Sequence, residues 1–468
     1  MFHAPTSTSI WIVYQLLTYL GFFLALVFLA HILKPQRSPT STMAWLLVIL
    51  LLPYVGVPLF LMFGGRKLRR MARRKEQVYR RLERPALDLS ERAIERVLLS
   101  QGVHPATAGN RVELVCDGVS AYEHLVRLID AAERSIHINT YILGRDPVGA
   151  ALVARLAQRA SEGIAVRLLL DDVGSWRVGR HFTAPLVEAG AEVAHFMPVV
   201  HIPFRGRTTL RNHSKLVVVD DAHALTGGMN LAEDYLGPTP DPTRFRDLSL
   251  VNSGPVVADL AELFRSDWKF ATGEDVPLDK PRPPATDPAA GCVAQVVASG
   301  PDVAGDPLYE SLVTAIFAAK TRIWVVTPYF VPDEVLSRAL ELAIRRGVHV
   351  RLVIPAHSNH LMADLARASY VRQVHDAGGL ILRYRPGMVH AKAVIVDDDL
   401  AVIGSANMDM RSLFLNYEVA LFLYSKSEVE GAAVWAEALM AECLAGLAGR
   451  SRVRELAEDV VRLLSPLL

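Results

Sequence analysis

Two long apolar runs open the chain, at residues 10–33 and 43–63, and beyond them the pattern breaks into short apolar segments separated by charged stretches. About 20 apolar residues suffice to cross the hydrocarbon core of a bilayer, so each run is long enough for a membrane helix. No Lys or Arg precedes Lys34, so the basic start of a secretory signal is missing. The pattern predicts a two-helix transmembrane hairpin over residues 1–65, with Pro53, Gly56 and Pro58 kinking its second helix. Residues 66–110 are charged and helix-prone and read as a basic juxtamembrane connector, with Ser90 as a candidate helix cap.

After residue 110 the periodicity changes. Apolar segments at 112–115, 136–142 and 166–170 predict strands, and amphipathic spacing at 121–133 and 150–161 predicts helices. Strands alternating with helices at this spacing predict an α/β fold with a mainly parallel sheet covered on both faces. Residues 213–220 form a Val-rich strand pattern that ends in a turn before Gly227 and Gly228. Pro277, Pro281, Pro283, Pro284 and Pro288 rule out a helix or central strand there and mark a linker over residues 276–292. It separates a first half, residues 111–275, from a second, residues 293–468.

The second half repeats the first. Gly163-Ile-Ala-Val-Arg-Leu168 returns as Gly347-Val-His-Val-Arg-Leu352, and the stretch 131–140 returns as 318–327. This predicts a duplicated α/β unit with one site shared across a pseudo-twofold axis.

Composition changes this picture little. The chain has 468 residues, enough for about three domains. Lys and Arg number 50 against 49 Asp and Glu, a net charge of +1, which argues against bulk electrostatic binding of nucleic acid. Charge distribution says more. Arg66, Lys67, Arg69, Arg70, Arg73, Arg74 and Lys75 follow the second apolar run, whereas the turn between the runs holds only Lys34 and Arg37. The positive-inside rule then places both chain ends on the cytoplasmic side of a cell membrane. Cys116, Cys292 and Cys443 are three widely spaced thiols with neither disulfide nor zinc spacing.

The candidate chemistry lies in a motif that occurs twice. His213, Lys215, Asp220, Gly227 and Asn230 are matched by His390, Lys392, Asp397, Gly404 and Asn407, each 177 positions later. Residues two apart on a strand point to the same face, so each motif offers an imidazole and an ammonium together. Two motifs brought together supply what phosphodiester chemistry needs: a nucleophile, an acid for the leaving alkoxide, and cations at the developing charge. One neutral histidine can attack phosphorus while the other, protonated, donates to the leaving oxygen. Lys215 and Lys392 would hold the phosphate as point charges. Asn230 and Asn407 would add hydrogen bonds, with Gly228 and Ser405 beside them at the substrate. Asp247 and Glu418, each downstream of a motif, are expected to orient the histidine of their own half. No His, Asp or Glu grouping has metal-ligand spacing, and no cofactor is expected.

This double H-x-K-x4-D pattern resembles the phospholipase D superfamily. Further stretches, Leu170-Asp-Asp-Val-Gly-Ser175, Thr327-Pro-Tyr-Phe-Val-Pro-Asp333 and Leu415-Asn-Tyr-Glu418 among them, resemble the bacterial phospholipase-D-type cardiolipin synthases over nearly the whole chain. Ser214 departs from that pattern, since the family often has Arg there. The resemblance implies two phospholipase-D-like halves, with His213 as nucleophile through a phosphohistidine and His390 as general acid and then base. It also implies structural roles for Asp220 and Asp397 and no divalent metal. The implied reaction transfers a phosphatidyl group between two phosphatidylglycerol molecules at a bacterial inner membrane. The alternative is a membrane-anchored phospholipase D releasing phosphatidic acid. Oligomeric state is open.

Overall fold

The computed structural model describes residues 92–198, 210–277, 291–303, 305–449 and 458, and, of the first 60, residues 15, 16, 19, 20, 23, 26, 39–54, 56, 57 and 60. The chain divides into two units, residues 1–68 with 200–209, and residues 69–199 with 210–468.

In the first unit the helix Pro39–Leu51 is apolar around its circumference. Its Ile49 packs with Val57 and Phe60, and Trp45 meets Phe60 edge-on at 5.4 Å. Gly56 is required here, because a Cβ would come within 2.7 Å of the Val48 carbonyl. Leu47, Leu50, Leu51 and Leu52 face outward. Among the described residues no helix is long and apolar enough to cross a membrane. Much of the predicted hairpin, most of the 66–110 connector and most of the 276–292 linker lie outside the described residues.

The second unit contains both halves. The first half supplies β1 (Thr107–Val115), β2 (Ser135–Thr140), β3 (Ala165–Asp171), β4 (Glu192–Phe196), β5 (Leu216–Val219), β6 (His223–Gly227) and β7 (Ser249–Ser253). The second supplies β8 (Cys292–Ser299), β9 (Arg322–Val326), β10 (Phe330–Val331), β11 (His349–Pro355), β12 (Leu380–Tyr384), β13 (Ala393–Val396), β14 (Leu400–Gly404), β15 (Met408–Asp409), β16 (Glu418–Leu423) and β17 (Cys443–Ala445). All but β10 and β15 join one sheet of 15 strands, in the order β17-β12-β11-β9-β13-β14-β16-β8-β1-β7-β6-β5-β2-β3-β4. Apart from β17 the order reads alike from either edge. The pseudo-twofold therefore passes between β8 and β1, which pair antiparallel.

The predicted mainly parallel sheet is corrected to a mixed one. Within the 15-stranded sheet, parallel pairing is confined to β2-β3-β4 and β9-β11-β12, where the predicted strand–helix alternation holds. In the centre, β5 and β6 are joined by a short turn, as are β13 and β14, and short connections force antiparallel pairing. The first half also starts earlier than residue 111, because β1 begins at Thr107 to meet β8.

Both motif aspartates terminate a strand. Asp220 and Asp397 have φ of 55° and 50°, the left-handed region that Asp tolerates better than most residues. The Asp220 carboxylate accepts the backbone N–H groups of Glu133, Arg134 and Ser135, each at 2.8 Å. Asp397 does the same for Lys320, Thr321 and Arg322 at 2.7–2.9 Å. Each aspartate thus ties the end of the motif strand to the start of its neighbour, β2 or β9. A whole strand separates each aspartate from the histidine of its own motif.

Candidate active site

His213 and His390 precede β5 and β13, at the end of each strand opposite the aspartate. The predicted strand 213–220 shortens to Leu216–Val219 for a specific reason: the His213 backbone turns to the other half. Its N–H donates to the Tyr417 carbonyl at 2.9 Å, and the Tyr417 N–H donates back to Arg211 at 2.9 Å. The mirror contact joins His390 N–H to the Arg246 carbonyl, and Arg246 N–H to the Met388 carbonyl, both at 2.8 Å. The halves are stitched together by backbone at the two histidines themselves.

This stitching exchanges the acids. His213 Nδ1 lies 3.0 Å from both carboxylate oxygens of Glu418, which belongs to the second half. His390 Nδ1 lies 2.6 Å from Asp247 Oδ2, in the first half. The expectation that each acid serves its own half is therefore wrong. Bridging 212 with 417 and 246 with 389 carries Glu418 and Asp247 to the neighbouring motif. Both carboxylates are almost completely buried. Burial pushes their pKa values up, but the facing groups win: Lys392 and the His390 ring hold Asp247 below its ordinary value, and the His213 ring and Lys215 do the same for Glu418.

The cations complete the cluster. Lys215 Nζ donates to the His213 carbonyl at 2.6 Å and stands 5.4 Å from the centre of the Tyr141 ring. Lys392 Nζ lies 2.6 Å from His390 Nδ1 and 3.1 Å from its Nε2. Burial lowers the pKa of Lys215 and brings Lys392 down to about 8. Burial also depresses His213 to about 4, against the pull of Glu418, and His390 to about 3, with Lys392 adding to the effect. Both imidazoles are thereby neutral near pH 7, and with Nδ1 turned to a carboxylate each has Nε2 as its reactive nitrogen.

The remaining predicted residues fall into two groups. Asn230 accepts the Ile142 N–H at 3.2 Å through its carboxamide oxygen, and the Asn407 oxygen is buried with no hydrogen-bond partner among the described residues. Gly228 and Ser405 adjoin the acids. Ser405 Oγ donates to Glu418 Oε2 at 2.5 Å and accepts the Val419 N–H at 3.0 Å. A Cβ on Gly228 would sit 2.1 Å from Asp247 Oδ1. Equivalent positions thus fit a serine to the longer acid and a glycine to the shorter. Gly228→Ala is expected to push Asp247 off His390 and lower turnover by about 10²–10⁴-fold, the upper figure being the loss when a histidine-orienting carboxylate is replaced outright. Turnover and the urea midpoint of the variant check this; unchanged turnover would contradict it.

Sequence reasoning missed the aromatic walls. Tyr141 meets the His213 ring edge-on at 4.8 Å, Tyr235 meets His390 at 5.0 Å, and Phe245 stacks on His390 at 6.0 Å. None follows a periodic signal. It also missed Asp171, which accepts the Asn212 N–H at 2.9 Å and so fixes the residue before His213. The signal was an acid at the end of the apolar strand β3. The fold further gathers His104, Asp259 and Glu262, whose potential ligand atoms lie within 4.8 Å of one another. Sequence spacing had not grouped them. His104 and Asp259 already pair at 2.8 Å.

Two histidines, two lysines and two exchanged acids thus gather in one buried cluster. The family profile described as "Cardiolipin synthase, PLD-like domain" matches residues 125–268 and 312–440, one segment in each half. The profile described as "Phospholipase_D-nuclease N-terminal" matches residues 23–65. Cardiolipin synthase 1 of Bacillus cereus is 36% identical over 418 residues, 84% of this chain and 82% of the relative. Cardiolipin synthase A of Pseudomonas aeruginosa is 34% identical over 476 aligned positions, covering 96% of each chain. Among solved structures, phosphatidylserine synthase of Haemophilus influenzae aligns over 81% of this chain and 100% of its own, with a TM-score of 0.62 at 15% identity, a likeness of fold. The chain belongs to the family of cardiolipin synthases with phospholipase-D-like domains.

Proposed function

We propose that this chain is a membrane-bound phosphatidyltransferase that makes cardiolipin and glycerol from two molecules of phosphatidylglycerol. The observation that carries the reading is the pair of buried imidazoles, each with Nδ1 on a carboxylate of the other half and each accompanied by a lysine. His213 Nε2 attacks phosphorus as the bond to the departing glycerol oxygen breaks, and His390 gives that oxygen its proton. His390 then takes the proton of a hydroxyl on the second phosphatidylglycerol. That oxygen attacks phosphorus as the phosphorus–nitrogen bond breaks, which regenerates His213. Naming His213 as the nucleophile follows the family resemblance, because the geometry is nearly symmetric.

Electrostatics support this division of a proton between two neutral rings. A phosphodiester anion drawn to Lys215 and Lys392 offsets the repulsion that Lys392 exerts on His390, so the ring can carry a proton when substrate is bound. Lys215, Lys392, Asn230 and Asn407 are the groups placed to hold the phosphate. Asp247 and Glu418 orient the rings, and Gly228 and Ser405 position those acids. Asp220 and Asp397 fix the strands. Water must be excluded from the intermediate, since hydrolysis gives phosphatidic acid. The aromatic walls and the burial of the cluster suit that need.

A membrane location is supported by the outward Leu16, Leu20, Phe23 and Leu26 together with Leu47, Leu50 and Leu51, all exposed in the first unit. A helix apolar all round requires an apolar environment. The hairpin of residues 1–65 is proposed to span an inner membrane twice. The basic residues 66–75 then hold the catalytic halves on the cytoplasmic side.

Mass spectrometry of lipids after incubating the purified protein in phosphatidylglycerol vesicles tests the reading. Cardiolipin with equimolar free glycerol is expected. Phosphatidic acid as the main product would instead establish a phospholipase D.

A further inference from the structure

Among described residues from 92 onward, the two most exposed large hydrophobic side chains are Leu361, at 73%, and Trp176, at 71%. Scattered exposed apolar residues need no explanation, but these two occupy matching places. Trp176 lies in the loop that follows β3, five residues after its last residue Asp171. Leu361 follows β11, six residues after its last residue Pro355, with the exposed Met362 next to it. β3 and β11 are equivalents in the pseudo-twofold order of the sheet, each flanked by parallel neighbours.

Both loops are fastened to the walls of the site. Asp171 accepts the N–H groups of Val173 and Gly174 at 2.9 and 3.0 Å through one oxygen and that of Asn212 through the other. Ser175 Oγ donates to the Tyr141 carbonyl at 3.0 Å, and the Tyr141 ring touches His213. On the other side, Tyr329 donates to Asn359 Oδ1 at 2.6 Å and lies 5.7 Å from the His360 ring. Tyr329 is also an electrostatic neighbour of Tyr141 and of Tyr235, the wall of His390. Positive charge stands beside the Trp176 tip. Arg177 stacks over Trp176 at 5.2 Å, Arg180 follows, and no acid occurs between Asp172 and Glu188. At the other tip the first charged residue after Leu361 is Asp364, which accepts the Ser358 N–H at 3.0 Å and pairs with Arg367 at 2.8 Å.

We propose that Trp176 and the Leu361–Met362 pair are interfacial anchors that seat the mouth of the active site on an anionic lipid surface. Tryptophan beside arginine suits the headgroup boundary, where the ring and the apolar pair enter the acyl edge and the guanidinium meets phosphate. Two anchors related by the pseudo-twofold hold the mouth level over the headgroups, so a phosphodiester reaches the buried histidines without its chains leaving the bilayer. The reason for choosing lipid as the occupant rests on the phosphatidyl-transfer reading above.

The test uses the full chain reconstituted in vesicles of phosphatidylglycerol and phosphatidylcholine, with Trp176→Ser and Leu361→Ser/Met362→Ser. The fluorescence component that Trp176→Ser removes is expected to be quenched by phosphatidylglycerol brominated on its acyl chains. The combined variant should lose on the order of tenfold in turnover of vesicle lipid, from weaker interfacial seating, while keeping its turnover of dispersed short-chain phosphatidylglycerol. Absent quenching, or equal loss on both substrates, would overturn the proposal. So would a Trp176 signal that responds to protein concentration in detergent rather than to lipid, which would make the patch a contact with a second copy. Quenching requires no turnover, so a failed cardiolipin assay leaves this result to be decided separately.

Discussion

Replacing His213 with alanine is expected to lower turnover of phosphatidylglycerol by about 10⁴–10⁶-fold, the range seen when a covalent nucleophile is removed. The loss should be equally severe for an activated phosphodiester with a p-nitrophenolate leaving group, because no acid can compensate for a missing nucleophile. His390→Ala should behave differently. Turnover of phosphatidylglycerol should fall about 10²–10⁴-fold, the usual contribution of general acid catalysis. The first step with the activated substrate should be largely spared, because p-nitrophenolate departs without a proton. Burst kinetics of p-nitrophenol release on both variants checks this, and a burst from His213→Ala but not from His390→Ala would exchange the two assignments.

The exchanged acids lead to a second large effect. Glu418 holds His213 and Asp247 holds His390, each from the other half of the chain. Asp247→Asn is therefore expected to copy His390→Ala, with a loss that shrinks as the leaving group improves. Glu418→Gln is expected to copy His213→Ala, with a loss that ignores the leaving group. Each should cost about 10²–10⁴-fold in turnover of phosphatidylglycerol, because the amide favours the wrong tautomer and no longer stabilises an imidazolium. The dependence of turnover on leaving-group pKa for the two variants decides the matter. Were each acid to serve its own half, the two slopes would be interchanged.

The parts of this arrangement legible in the sequence are those written in local spacing. The equal intervals of the two motifs located the histidines and lysines, and apolar runs located β2 and β3 to within one or two residues at each end. The helix expected at 121–133 spans Gly118–Asp130, because Asp117 caps it earlier by accepting the N–H groups of Val119 and Ser120. What was not legible depends on pairing between distant segments. Asp247 and His390 are 143 positions apart and Glu418 and His213 are 205 apart, and only the bridging of the halves decides which acid meets which ring. The same holds for the mixed sheet, since the antiparallel centre reflects turn lengths rather than the apolar periodicity of each strand. Gly228 and Ser405 were legible as members of the motif but not as supports for the acids. Their task is defined by what stands across from them, Asp247 and Glu418.

One measurement tests the central claim, that two histidines share a phosphatidyl group through a covalent intermediate on the first. Each alanine variant is incubated with an activated phosphatidyl substrate labelled in its acyl chains, quenched into denaturant at alkaline pH, and digested for peptide mapping. Label on the peptide containing His213 in the His390→Ala protein, and none on the His213→Ala protein, is the expected result. Label retained by His213→Ala and absent from His390→Ala, or none on either protein while turnover continues, would contradict it.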